Sequence, residues 1–159
     1  MLGVSAWCVM TTVHELGHLI GGWATGATLV DADLWPWHLP YSIFDPDPQP
    51  LVTLWSGPIL GAAAPVLGAL FLRREWAWFI AYFCILANGM YITAGLYSGD
   101  SQLDTTKLLR NGAHPIAIWV YCGLTLLLGY TGLRRHCVRI LNLGNVKNHG
   151  TLDHATDKV

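Results

Sequence analysis

His14 and His18 stand four positions apart with Glu15 beside the first, in the order His-Glu-x-x-His. On an α-helix, positions i and i+4 lie one turn apart on the same face. Two imidazoles so placed can share one Zn²⁺, and the adjacent carboxylate can activate a water that the ion holds. Glu15 is one of only two glutamates in the chain, the other being Glu75. The surroundings sharpen the signal, because no other charged residue occurs from Leu2 to Ile20. A carboxylate and two imidazoles are costly in such an apolar run, which points to function rather than packing.

A helix over about residues 2–25 is needed to position these groups, and it is long enough to cross a hydrocarbon core of about 30 Å. At 1.5 Å per residue, His14 lies about 20 Å along it, so the ion is expected within the membrane. Gly17, Gly21 and Thr25 form a small-residue stripe that lets a neighbouring helix approach closely. The remaining chain supports the same setting. Hydrophobic residues make up 53% and charged residues 12% of the 159 positions, against about 25% charged in soluble domains. The deficit falls in long runs. The pattern predicts an all-α polytopic membrane protein of about four transmembrane helices, over residues 2–25, 51–72, 76–97 and 115–133. They form one core, residues 1–141, followed by a polar tail over 142–159 expected to be disordered. The run from Met1 to Val13 lacks a basic n-region and is not expected to be a cleavable signal peptide. The bilayer is then the first partner, and a net charge of −1 offers no basic surface to nucleic acid. The four cysteines have neither zinc-finger spacing nor the look of a disulfide framework.

Between the first two spans, residues 26–50 mix Asp31, Asp33, Asp45 and Asp47 with Trp35, Pro36, Trp37, His38 and Pro40. That proline density excludes a helix. An irregular aromatic loop is expected at the mouth of the site, near the membrane–water boundary, with a short extended stretch around 28–35. His38 is expected at the surface; as a metal ligand it is the lesser alternative. In the second span, Ser56-Gly57-Pro58 marks either a local unwinding near the metal or a packing kink. Asn88 interrupts the third span with a buried amide that needs a partner, serving as glue between helices or as a substrate contact. A short polar connector then carries Asp100 and Asp104.

A His-Glu-x-x-His in the first of four spans, with an aspartate beside a later one, resembles the site-2 protease family of intramembrane zinc metalloproteases. Leu103-Asp104-Thr105-Thr106-Lys107-Leu108-Leu109-Arg110 is similar to the family's Leu-Asp-Gly-Gly-Arg-Ile-Leu-Arg. Ser56-Gly57-Pro58 is similar to a Gly-Pro early in the family's second core helix. The resemblance implies Asp104 as third zinc ligand, with Asp100 as the rival. It also implies hydrolysis of peptide bonds in membrane-embedded protein substrates, with Glu15 as general base. Thr105 and Thr106 replace both family glycines, and the family's preceding Asn-x-x-Pro is missing. A helical backbone hides its carbonyls, so the substrate stretch must be helix-destabilised; an extended one could pair with an edge strand near Thr28 to Leu34. Two other classes compete: a non-catalytic membrane subunit or adaptor retaining the fold, and a membrane metal carrier. A carboxylate from the 100–104 segment within about 5 Å of both imidazoles would separate them from the enzyme. Orientation is contested too. Counting Lys and Arg near span ends puts the C-terminal tail in the cytoplasm, whereas the resemblance implies both termini outside.

Overall fold

A computed structural model of the chain describes residues 1–156, with side chains described as far as residue 139. In order the elements are α1 (Leu2–Ala24), β1 (Leu29–Asp33), β2 (Tyr41–Phe44), α2 (Pro50–Leu72), α3 (Glu75–Ser98), α4 (Asp104–Arg110) and α5 (Pro115–Thr156). Pro50 and Pro115 occupy the first turns of α2 and α5, where a missing N–H costs nothing. Glu75 opens α3, where the helix dipole favours a carboxylate. Its carboxylate also accepts from His136 Nδ1 and Arg139 Nη1, each at 2.8 Å, tying the start of α3 to α5.

The chain is mostly helical, as the hydropathy pattern indicates, and three of the described helical stretches are long and apolar enough to cross a membrane. These are Pro50–Leu72, Glu75–Ser98 and Pro115–Arg139. The expected count was four. The first helix has the length, at 23 residues, but His14, Glu15, His18 and its threonines and glycines lower its hydropathy below that of the other three. α5 also carries helical backbone past the expected end of its span, into the tail expected to be disordered. The tail's side chains, and residues 157–159 altogether, lie outside the described residues.

α1, α2 and α3 pack on one another, and α5 packs on α3. The core follows from small residues at the crossings. One cluster joins Ile92, Leu108, Ala113, Ile118 and Cys122, with Leu54, Trp55 and Tyr121 against it. A second, at the other end, is built from Ala69, Ala77 and Ala81. α2 runs unbroken through Pro58 and Pro65, so Ser56-Gly57-Pro58 does not unwind it. Pro58 is fully buried and its carbonyl accepts from the Tyr121 hydroxyl at 2.8 Å. Large apolar side chains cover the outside instead, including Ile20, Trp23, Leu67 and Phe71.

The aromatic loop is not irregular throughout. It is an antiparallel hairpin of β1 and β2, with Asp31 opposite Ile43 and Asp33 opposite Tyr41, and an irregularity between Leu29 and Asp31. Its base is closed by Thr28 N–H to the Pro46 carbonyl and Asp45 N–H to the Thr28 carbonyl. Phe44 lies against Gly22 of α1. Nor does the hairpin stop at the mouth of the site. Its tip folds back along α1 until Trp7 Nε1–H donates to the Pro36 carbonyl at 2.9 Å. Trp7 is about 25 Å from Ala24 along the helix axis.

Candidate metal centre

His14 and His18 project from α1 toward α3 and α2, and each ring is fixed by the nitrogen that points away from the centre. His18 Nδ1–H donates to the Thr53 carbonyl at 2.8 Å. A carbonyl only accepts, so this proton assignment follows from the partner. His14 Nδ1 meets Asn88 Oδ1 at 2.6 Å. The amide's other end donates from Nδ2 to the Cys84 carbonyl at 2.9 Å, which turns its oxygen toward the imidazole. Both Nε2 atoms therefore present lone pairs. They face each other at 3.1 Å. Asp104 Oδ2 faces the same point, 2.9 Å from His14 Nε2 and 3.1 Å from His18 Nε2.

Three electron-rich atoms aimed at one another repel unless a cation lies between them. A shared proton would satisfy one pair and leave the third atom uncompensated; a metal ion satisfies all three. The ligand atoms of His14, His18 and Asp104 all lie within 4.8 Å of one another and all three residues are buried. Two imidazole nitrogens and one carboxylate oxygen, with outer hydrogen bonds orienting both rings, form a donor set that fits a divalent ion.

The approach of the elements depends on absent side chains. A Cβ on Gly57 would run into the His18 ring, so this glycine lets α2 pass against the ligand. A Cβ on Gly61 would stand 2.9 Å from Asn88 Oδ1. Thr105 is fully buried beside Gly95, and its hydroxyl donates to the Ile92 carbonyl at 2.7 Å. A Cβ on Gly95 would lie 2.5 Å from that hydroxyl. Thr105 is thus accommodated by a glycine on the facing helix.

Glu15 is buried next to the ligands, and Ser42 of β2 donates its hydroxyl to Glu15 Oε2 at 2.9 Å. Two cavities meet at this carboxylate. One of about 530 Å³ borders His18 and Asp104 and is flanked by all four residues of β2. The other, of about 600 Å³, borders His14 on the N-terminal half of α1. Glu15, Leu39, Pro40 and Tyr91 line both. The Thr53 hydroxyl, on the wall of the first cavity, is buried without a hydrogen-bond partner.

Of the residues singled out in the sequence, the structure brings together His14, Glu15, His18, Asp104, Asn88 and Gly57. Asp100 is left out: it is exposed, and its Oδ1 accepts the Gln102 N–H at 2.9 Å. His38 is left out as well, an exposed ring 3.5 Å from Asp33 Oδ2. Asn88 contacts a ligand rather than open space, as helix glue would. The strand beside the cavity is β2, not the stretch from Thr28 to Leu34. Ser42, Thr53 and Tyr91 escaped sequence reasoning, since each reaches the site from a separate element. No family model, curated protein or solved structure matches the chain.

Proposed function

We propose that this chain is an intramembrane zinc metalloprotease of the site-2 protease type, cutting membrane-embedded protein substrates, with α1 as a fourth span beside α2, α3 and the first part of α5. One observation carries the reading. Glu15 stands beside the convergent Nε2 atoms and the Asp104 carboxylate, yet it faces the cavities instead of joining the ligand set. A purely structural metal site is closed by four protein ligands and needs no spare carboxylate.

His14, His18 and Asp104 would hold the ion, with Asn88 and the Thr53 carbonyl keeping both rings in register. Zinc, when bound, lowers the pKa of water toward about 7 and polarises a carbonyl. Glu15 takes the proton from the attacking water and returns it to the leaving amine. Ser42 holds that carboxylate from the β2 side. An extended stretch of substrate would lie along the unpaired edge of β2, where main-chain hydrogen bonds expose its carbonyls.

The test pairs two measurements on the purified full-length protein: bound metal, and cleavage of a reconstituted single-span substrate. Wild type and Glu15→Gln should each carry about one zinc, while Glu15→Gln loses about 10²–10⁴-fold in rate. Undiminished hydrolysis by Glu15→Gln overturns the mechanism.

A further inference from the structure

We infer that the cavity on the N-terminal half of α1 is a pocket for a large apolar side chain adjacent to the bond being cut. The inference rests on the proposed peptide hydrolysis and adds to it a class of substrate. Val4, Trp7 and Met10 come from successive turns of α1, and Trp37 and Leu39 close the space from the hairpin loop. Two of the polar side chains on this wall are already engaged. The Thr11 hydroxyl donates to the Trp7 and Cys8 carbonyls at 3.1 and 3.2 Å. His38 pairs with Asp33. His14, Glu15 and Tyr91 stand at the inner end, and apolar side chains dominate the rest of the lining.

Its shape is held rather than collapsible, because the Trp7–Pro36 hydrogen bond pins the loop across α1. The neighbouring cavity differs, with Ser42, Asp47, Gln102 and Lys107 on its walls. Glu15 and Tyr91 line both spaces, so a backbone crossing between them passes the carboxylate. A side chain at that crossing can turn into the apolar space, while the chain continues along the polar one. The site therefore selects a segment with a bulky apolar residue on one side of the cut and polar residues on the other. Water in the pocket would be poorly hydrogen-bonded, and an apolar group gains by displacing it.

Peptide hydroxamates anchor on the metal and need no hydrolysis, so they probe the pocket directly. Three are compared on the zinc-loaded full-length protein, with Ala, Leu or Phe next to the hydroxamate. Leu and Phe should bind about tenfold or more tighter than Ala. Gly3 lies on the pocket wall and a Cβ there meets nothing within 4 Å. Gly3→Phe should therefore fill the space and abolish the preference, with metal content unchanged. Met10→Ala should widen the pocket and raise the Phe-over-Leu ratio, which decides the matter if Gly3→Phe loses metal. Equal binding of all three by wild type overturns the proposal, and so does an acyl chain already seated there, which gives the same flat ranking. A preference that survives both substitutions overturns it as well. Failure of substrate cleavage with the ranking intact strikes the proposed protease activity alone and supports the pocket.

Discussion

Replacing Asp104 by alanine removes the carboxylate that faces both imidazoles, whereas Asp100 only accepts from the Gln102 N–H, two residues on. Asp104→Ala should weaken metal binding by more than the about 10–100-fold that losing an orienting partner costs. Asp100→Ala should leave it unchanged, and competition with a chromophoric chelator measures both; equal retention by the two mutants means the ligand set is wrong. Asn88→Ala tests the orienting partner itself. It should cost about 10–100-fold in affinity with the fold retained, because His14 Nδ1 then loses the oxygen that fixes its proton. At this scale the histidines and Glu15 were legible, since helix periodicity alone puts them together. Asp104 was reachable only through the resemblance, because 86 residues separate it from His18. Asn88 announced itself as an amide in an apolar run, but its partner could not be read. Ser42 and the Thr53 carbonyl left no signal, because a hydroxyl in a loop and a backbone oxygen look like any other.

Gly57 and Gly68 both lie on α2, one facing the ligand and one facing nothing within 4 Å. Gly57→Ala should displace His18 and abolish metal binding while helix content by circular dichroism stays unchanged. Gly68→Ala should keep the metal and, by restricting the unfolded backbone, stabilise the chain by about 0.4–1 kcal/mol. Metal loss in both mutants, or in neither, removes the case for α2 as the wall of the site. The first three long helices were readable to within a few residues, because long apolar runs bounded by polar turns admit little else. By contrast, α5 begins where expected but runs on into the tail expected to be disordered. The hairpin was readable only in its first strand, β1, which lies within the extended stretch expected over 28–35. Its second strand is Tyr41-Ser-Ile-Phe44, a four-residue alternation with Ser42 and Phe44 turned inward, bounded by Pro40 and Pro46. Proline density excluded helix correctly, but it masked a strand too short to declare itself. The seven-residue α4 was missed for the same reason of length.

With α1 counted as a span, the hairpin and α4 lie on one side of the molecule. The turn at Arg73 and Arg74 and the cluster Arg134, Arg135 and Arg139 lie on the other. Charge counting places that second side in the cytoplasm, and the proposed family membership places it outside. A reporter fused after Val159 should be dark in the cytoplasm under the family orientation; strong fluorescence there makes the molecule an inverted version. The hairpin bears on the medium around it in either case. A ribbon of two strands leaves an outer row of N–H and C=O groups unpaired on each side. Oil offers them no partner, and bare strand edges do not survive within it. If α1 crosses the bilayer, the ribbon beside it runs to Trp7, deep below the surface, and its outer row must be wet. The membrane at this protein is then notched, and the reaction proceeds at the bottom of a well of water. Hydrolysis draws its reactant from that well, and nothing has to dissolve in lipid first. In a cysteine-free background, a charged thiol reagent should label Ile43→Cys and spare Leu67→Cys on the outer face of α2. Silence at position 43 would mean a dry hairpin, and a dry hairpin leaves the water to arrive by some other road.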